Sequence, residues 1–266
     1  MTGKETPLAG PPPAEVPLAS APLVRVVAQV RFPLVASVER REFIGSFQEA
    51  IRGEYPILRP EQSRNVALGQ HGVIDARESI VWRFLDTRGE WCVTLTSDFL
   101  ALETSRYGSR DDFLARFTRI LESLVTHVDP RVIDRLGVRY IDRVTGDDLT
   151  DLALLVRPEV CGVLSTGLST DVRYSISESV FDLPDSTGQL KTRWGLIPAG
   201  GTADPSTIQE IDEPSWLLDV DAFRVETRDL DVGEVIQETR AFAERIYSVF
   251  RWAVTDEFLR RYGGEA

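Results

Sequence analysis

The chain has 266 residues, of which 42% are hydrophobic and 27% charged, a balance typical of globular proteins rather than of disordered or fibrous chains. Its net charge of −12, from 42 acidic and 30 basic side chains, excludes a polybasic membrane binder and a general nucleic-acid coat. No apolar run reaches the roughly 18 residues that span a bilayer, and no signal-peptide core is present, so we expect a cytoplasmic protein.

The negative charge is concentrated in the second half of the chain. Residues 1–144 hold 19 basic and 19 acidic side chains, so their charges sum to zero. Residues 145–266 hold 11 basic and 23 acidic side chains and carry the whole charge of −12. An acidic surface of this kind favours a basic protein partner, because opposite charges steer association.

Residue types on which many active sites depend are scarce. Cys92 and Cys161 are too few for a disulfide framework, and their small or apolar neighbours predict two buried thiols. The only histidines are His71, in a turn-like stretch, and His127, which is expected to end a helix. The sequence contains no cluster with metal-ligand spacing and no phosphate-binding or nucleophile-elbow motif, which predicts a protein without a cofactor.

Proline content separates the N-terminus from the rest of the chain. Residues 1–22 contain six of the 15 prolines and little large apolar surface, which predicts a disordered, mobile tail. Residues 23–266 are then expected to form a single domain. An alternative division gives two similar lobes, at about 23–145 and 146–266.

Hydrophobic periodicity predicts the elements of this domain in chain order. Alternation with a period of two predicts strands at 23–32, 64–70, 79–86, 90–103, 136–144, 171–182, 189–197 and 216–225. Apolar stripes with helical spacing predict helices at 43–51, 109–127, 148–155 and from 231 to about 255. Ser109 and Asp112 form a capping box that begins the second helix. This order predicts an α+β fold, in which a mostly antiparallel sheet packs against two or three long amphipathic helices.

One predicted strand carries a row of arginines. Arg135, Arg139 and Arg143 recur every four residues, and Arg131 continues the spacing. Because side chains alternate along a strand, these guanidinium groups are expected on one side of the sheet. Guanidinium groups bind carboxylates and phosphates bidentately, so the row is a candidate anion-binding site.

A second strand carries a pair of carboxylates. Asp219 and Asp221 share one face of the predicted strand 216–225. Two carboxylates at this spacing can hold Mg²⁺ for phosphoryl chemistry, which makes the pair a candidate metal site. Trp216, close to Pro214, is a candidate wall of a ligand pocket.

Three interpretations of the two charged rows stay open from the sequence. In the first, both strands lie in one sheet and the arginines pair with the aspartates, which stabilises the sheet. In the second, the rows line a groove that binds a ligand. In the third, the rows carry out catalysis.

Several of these segments together resemble a sporadically distributed family of bacterial proteins of about this length. The resemblance extends over residues 23–260 and rests on the segments 26–33, 47–56, 82–84, 102–107, 136–143, 218–223 and 250–256. No activity is established for that family. The resemblance therefore implies an architecture, and it implies no catalytic residue.

The residues lead to two functional hypotheses. The first is a non-enzymatic cytoplasmic binding protein with a protein partner, such as an accessory or immunity-type component of a bacterial defence, toxin or biosynthetic locus. The alternative is a metal-dependent phosphoester or nucleotide enzyme, in which Asp219 and Asp221 hold Mg²⁺ while Arg139 and Arg143 hold phosphate.

Overall fold

The computed structural model describes residues 6–69, 72–184 and 188–264, and for residues 63–69 and 72–78 it describes the backbone alone. The described strands form one nine-stranded antiparallel sheet. They are β1 (Leu23–Arg31), β2 (Ile57–Gly69), β3 (Gly72–Leu85), β4 (Trp91–Leu95), β5 (Phe99–Thr104), β6 (Val132–Val144), β7 (Ser175–Asp182), β8 (Gln189–Ile197) and β9 (Ser215–Asp229). Their order is β2-β3-β4-β5-β1-β6-β9-β8-β7, so β2 and β7 are the edge strands.

The helices of the described chain are mostly short. They are α1 (Arg41–Ile51), α2 (Arg110–His127), α3 (Gly146–Thr150), α4 (Leu152–Leu155), α5 (Pro158–Cys161), α6 (Val232–Ala253) and α7 (Asp256–Arg261). At the start of α2 the Ser109 side chain accepts a hydrogen bond from the Asp112 amide, which confirms the predicted cap. None of the described helices is long and apolar enough to cross a membrane.

The predicted α+β fold, with two or three long helices against the sheet, is wrong, because the class is mostly β. Only α2 and α6, with 18 and 22 residues, are long. The predicted helix at 148–155 is two short helices. The helical run is interrupted at Asp151, where φ is −90° and ψ is 10°, and Pro158 begins another short helix. The strands are also longer than their alternation predicts, since β2 and β3 have 13 and 14 residues. His71 lies outside the described residues.

Two compact units divide the chain, and the first consists of Met1–Arg25, Arg139–Phe223 and Ala241–Ala266. In this unit β8 pairs with β7 on one side and with β9 on the other. The core includes Trp216 and Phe258, both almost fully buried. Within it, Phe258 packs edge-to-face against Phe250 of α6, with ring centroids 5.6 Å apart.

The proline-rich segment contacts α6 and the end of α7 in this first unit. Arg245 donates hydrogen bonds to the carbonyl groups of Pro7 and Gly10, at 3.0 and 3.1 Å. The Tyr247 hydroxyl accepts from the Val16 amide at 2.8 Å. These contacts place residues 7–16 along the helix, and the mobility expected of this segment stays a prediction.

The second unit consists of Val26–Val138 and Arg224–Arg240. Its strands pair in the order β2-β3-β4-β5-β1, with Val26 opposite Thr104. Phe47 of α1 packs edge-to-face on Phe84 of β3, with ring centroids 5.5 Å apart. Apolar side chains of α2 are buried in the same unit, so the amphipathic stripes of both helices form its core.

Candidate functional site

An ion-pair network joins β6, β8 and β9 in the first unit. Arg139 donates from Nε and Nη2 to the two oxygens of Asp219, at 2.8 and 2.9 Å. Arg193 donates to the same carboxylate from Nε at 2.8 Å, and its Nη2 lies 2.6 Å from Asp219 Oδ2. The register of β8 and β9 places Arg193 opposite Asp219, so the two side chains extend from the same face of the sheet.

The connection between β8 and β9 supplies a second carboxylate. Asp204 Oδ2 accepts from Arg139 Nη1 at 2.9 Å and lies 3.4 Å from Arg193 Nη2. Asp204 Oδ1 accepts a hydrogen bond from the Ser206 hydroxyl at 2.6 Å. Neither Arg193 nor Asp204 is among the residues that the sequence singles out. The alternation of β8 was a usable signal for Arg193, whereas no local pattern indicates where an aspartate in a loop will lie.

The network is buried and balanced in charge. Asp219 is 2% exposed, and the side chains of Arg139 and Arg193 are 16% and 12% exposed. Burial acts to raise the pKa of Asp204, but hydrogen bonds from Ser206 and Arg139 outweigh it and hold that pKa at about 2. Burial acts to lower the pKa of Arg139, and the hydrogen bonds and charge of Asp219 reverse this and raise it. The network thus pairs two guanidinium groups, of Arg139 and Arg193, with two carboxyl groups, of Asp204 and Asp219.

This geometry leaves little room for the magnesium chemistry considered from the sequence. Both oxygens of Asp219 already accept hydrogen bonds from guanidinium groups, so a metal ion would have to displace Arg139 and Arg193. Asp221 lies two residues further on and is paired in register with Lys191. Among the residues whose side chains the structure describes, no three His, Cys, Asp or Glu side chains form a metal-binding group. The arrangement fits a structural ion-pair network better than a metal site.

Two other candidates in the first unit, Arg143 and Trp216, have different surroundings. Arg143 donates to the Gln209 carbonyl at 2.8 Å, and burial lowers the pKa of its guanidinium. Trp216 is fully buried, and its Nε1 has no hydrogen-bond partner in the described part of the chain. Its strand neighbour is Leu196, and Pro214 precedes it by two residues; both of those residues line a cavity.

The arginines of the row that belong to the second unit are engaged locally. Arg135 donates to the side-chain oxygen of Gln29 at 3.3 Å, and its guanidinium lies over Gly137, where any side chain would overlap it. Arg131 lies 2.8 Å from Asp129 and is largely exposed. Each of the four arginines of the row thus has a partner among the described residues.

The cavity that Leu196 and Pro214 line has a volume of about 720 Å³, and Trp216 is not among its lining residues. Its wall is mostly apolar and comes from the short helices and turns of residues 149–173 and from the end of β8. It includes Cys161, which is free and buried, as is Cys92; this confirms the prediction of two buried thiols. The lining residues are Leu149, Thr150, Leu152, Ala153, Cys161, Leu164, Ser169, Thr170, Val172, Arg173, Leu196, Pro198, Ala199 and Pro214.

The outer edge of β7 carries backbone groups that β8 does not use. The Leu183 amide donates to the Gly188 carbonyl, so residues 183 and 188 are a hydrogen-bonded pair. Such pairs alternate along an antiparallel ladder. The N–H and C=O groups of Ile176, Glu178 and Val180 therefore point away from β8, and no other described strand pairs with them.

Comparison of the sequence with protein-family models and with curated proteins finds no match to either. Function must therefore be inferred from the geometry.

Proposed function

We propose that the protein is a non-enzymatic, cytoplasmic binding protein that holds an extended, basic segment of a partner protein against the outer edge of β7. The single observation that carries the proposal is the row of outward-pointing backbone groups on β7. A strand edge of this kind accepts an added strand through main-chain hydrogen bonds. The two buried free thiols are in keeping with a reducing compartment.

Apolar side chains along and beside this edge support the proposal. Val180 and Phe181 of β7 are 54% and 36% exposed, and Tyr174, the residue before β7, is 55% exposed. Exposed apolar groups next to an open strand edge are typical of interaction sites, since they gain from burial by a partner. Along an added strand, backbone groups supply affinity and the alternate side chains supply specificity.

The acidic side chains on and around β7 favour a basic partner. Residues 145–188, which include β7, hold eight acidic and two basic side chains. Glu178 and Asp182 lie on β7 itself, and both are exposed. If a second copy of the protein paired with this edge, the Glu178 and Asp182 carboxylates of the two copies would lie close together. Like charges at that distance repel and destabilise the pairing. A basic segment would meet them with opposite charge, and for the same reason nucleic acid is not the expected partner.

The proposal is tested with a synthetic peptide of alternating lysine and valine, labelled with a fluorophore and titrated by anisotropy. We expect binding that weakens as salt increases, because the contact includes opposite charges. Val180→Pro removes an outward N–H without removing a bond to β8, and it should weaken binding about tenfold or more. Val180→Thr retains the N–H and favours a strand, so it serves as the matched control and should change affinity about threefold or less.

Three results would contradict the proposal. The first is equal binding by Val180→Pro and Val180→Thr, since the peptide would then not use the strand edge. The second is equal binding of a peptide of alternating glutamate and valine, since charge would then play no part. Concentration-dependent dimerisation that Val180→Pro abolishes, without peptide binding, would identify a second copy as the occupant and overturn the basic partner.

A further inference from the structure

The cavity of the first unit has the dimensions of a small-molecule site. Its volume of about 720 Å³ lies within the range of roughly 300–1,000 Å³ that such sites occupy. Ten of its 14 lining side chains are apolar, and the polar ones include three hydroxyl groups. A wall of this composition favours a ligand whose larger part is apolar.

One cation stands at this apolar wall. Arg173 lines the cavity and is exposed, and it forms no hydrogen bond or ion pair with the residues that the structure describes. The only other basic side chain in residues 145–188, Arg157, lies over the Trp252 ring at 5.9 Å. Because Arg173 pairs with none of the described carboxylates, its guanidinium is available to an anion from outside the chain.

We propose that this cavity binds an amphipathic carboxylate, with the apolar chain inside and the carboxylate on Arg173. The apolar wall removes the chain from water, which supplies most of the affinity. Arg173 makes the site specific for a negative head group, because a guanidinium can donate two parallel hydrogen bonds to a carboxylate. This proposal uses none of the outward-pointing backbone groups of β7, so it can hold or fail independently of the proposed partner binding.

The ligand is expected to be held without a covalent bond. Cys161 is the only nucleophilic thiol in the wall, and it is 4% exposed. Burial raises the pKa of its thiol, which keeps it protonated and unreactive at neutral pH. Binding should therefore be reversible and should leave the thiol free for titration.

The test compares three probes that share one chain and differ in the head group: dodecanoate, dodecanol and dodecyltrimethylammonium. Isothermal titration calorimetry of the full chain should show the tightest binding for dodecanoate, with the two ionic probes kept below their micelle-forming concentrations and dodecanol below its solubility limit. Arg173→Gln should weaken dodecanoate about five- to tenfold and leave dodecanol unchanged. Arg173→Lys, which retains the charge, should weaken dodecanoate less than Arg173→Gln does.

A second variant tests the cavity itself. Ala153 is exposed on α4 and lines the cavity, so Ala153→Phe narrows it with little effect on the core. It should abolish binding of dodecanoate and dodecanol alike, while the unfolding midpoint stays close to that of the unaltered protein. Equal affinity for all three probes, or no effect of Arg173→Gln, would overturn the carboxylate assignment. Unchanged binding by Ala153→Phe, or no binding of any probe, would overturn the cavity as the site.

Discussion

Arg139 and Asp219 form a bidentate ion pair in which both carboxylate oxygens accept from one guanidinium, at 2.8 and 2.9 Å. Asp219 is almost completely removed from solvent, so its charge depends on Arg139 and Arg193 for compensation. A buried ion pair of this kind costs free energy to form, because both charged groups lose contact with water. Removal of one partner also costs free energy, because the remaining buried charge is then uncompensated. The pair therefore links β6 to β9, and the additional bond from Arg139 to Asp204 links both strands to the 198–214 connection.

Removal of the charge of Asp219 should destabilise the protein strongly. Asp219→Asn leaves two buried guanidinium groups short of one negative charge, and we expect the free energy of unfolding to fall by about 3 kcal/mol. Urea denaturation followed by circular dichroism measures this change. Asp221→Asn, two residues further on the same strand, is the control and should cost less than about 1 kcal/mol. Equal losses in the two variants would show that the network has no special role.

Asp142 should make stability depend on pH near neutrality. It is buried on β6 without a hydrogen bond or ion pair to any described residue, and burial raises the pKa of its carboxyl to about 7. An unfolded aspartate titrates near pH 4, so the stabilising contribution is complete below about pH 4. Between about pH 4 and pH 7 the Asp142 carboxyl is ionised in the unfolded state and protonated in the folded state. The stabilising contribution therefore falls over this range and is lost as the pH rises through about 7.

Asp142→Asn should remove this dependence. Between pH 4 and 8 the unaltered protein is expected to lose about 2–4 kcal/mol through this group, and the variant should show a correspondingly flatter profile. Chemical denaturation at several pH values measures the slope. Asp147→Asn, at an exposed aspartate of α3, is the control and should leave the slope unchanged. A steep slope that persists in Asp142→Asn would assign the effect to another group.

Gly195 is required by the close pairing of β7 and β8. Its φ is 148°, and a methyl group there would overlap the backbone carbonyl of Ser175. Gly195→Ala should therefore cost about 3 kcal/mol or more in the free energy of unfolding. Gly167→Ala is the matched control, since nothing lies within 4 Å of an added Cβ there and its φ is ordinary. Thermal unfolding should separate the two variants clearly, and similar midpoints would contradict this prediction.

The Tyr247 hydroxyl should hold the proline-rich segment in place. It accepts from the Val16 amide at 2.8 Å and donates to the Ala14 carbonyl at 3.2 Å. Tyr247→Phe removes both bonds, and we expect the exchange rate of the Val16 amide hydrogen to rise about fivefold. Ser20, whose amide donates to the Tyr262 carbonyl, provides an internal control and should exchange as before. A parallel increase at both residues would indicate general loosening of the segment.

Much of the secondary structure is readable from the sequence, because each element depends on local periodicity. The hydroxyl of Ser109 caps α2 as its spacing with Asp112 predicts. The alternation in β8 and β9 indicates strands at positions close to those observed. The proportions of helix and strand were predicted less well. Helices of four residues, such as α4 and α5, are too short to show a helical period in the sequence.

The sequence by itself determined that Arg139 and Asp219 lie on strands and that an acidic second half contrasts with a neutral first half. Only the tertiary structure decided that these two residues bind each other, with Arg193 and Asp204 completing the network. The physical reason is that alternation fixes the face from which a side chain extends, and strand order and loop path fix its partner. The cavity beside Arg173 depends in the same way on how separate segments pack, which no local pattern encodes.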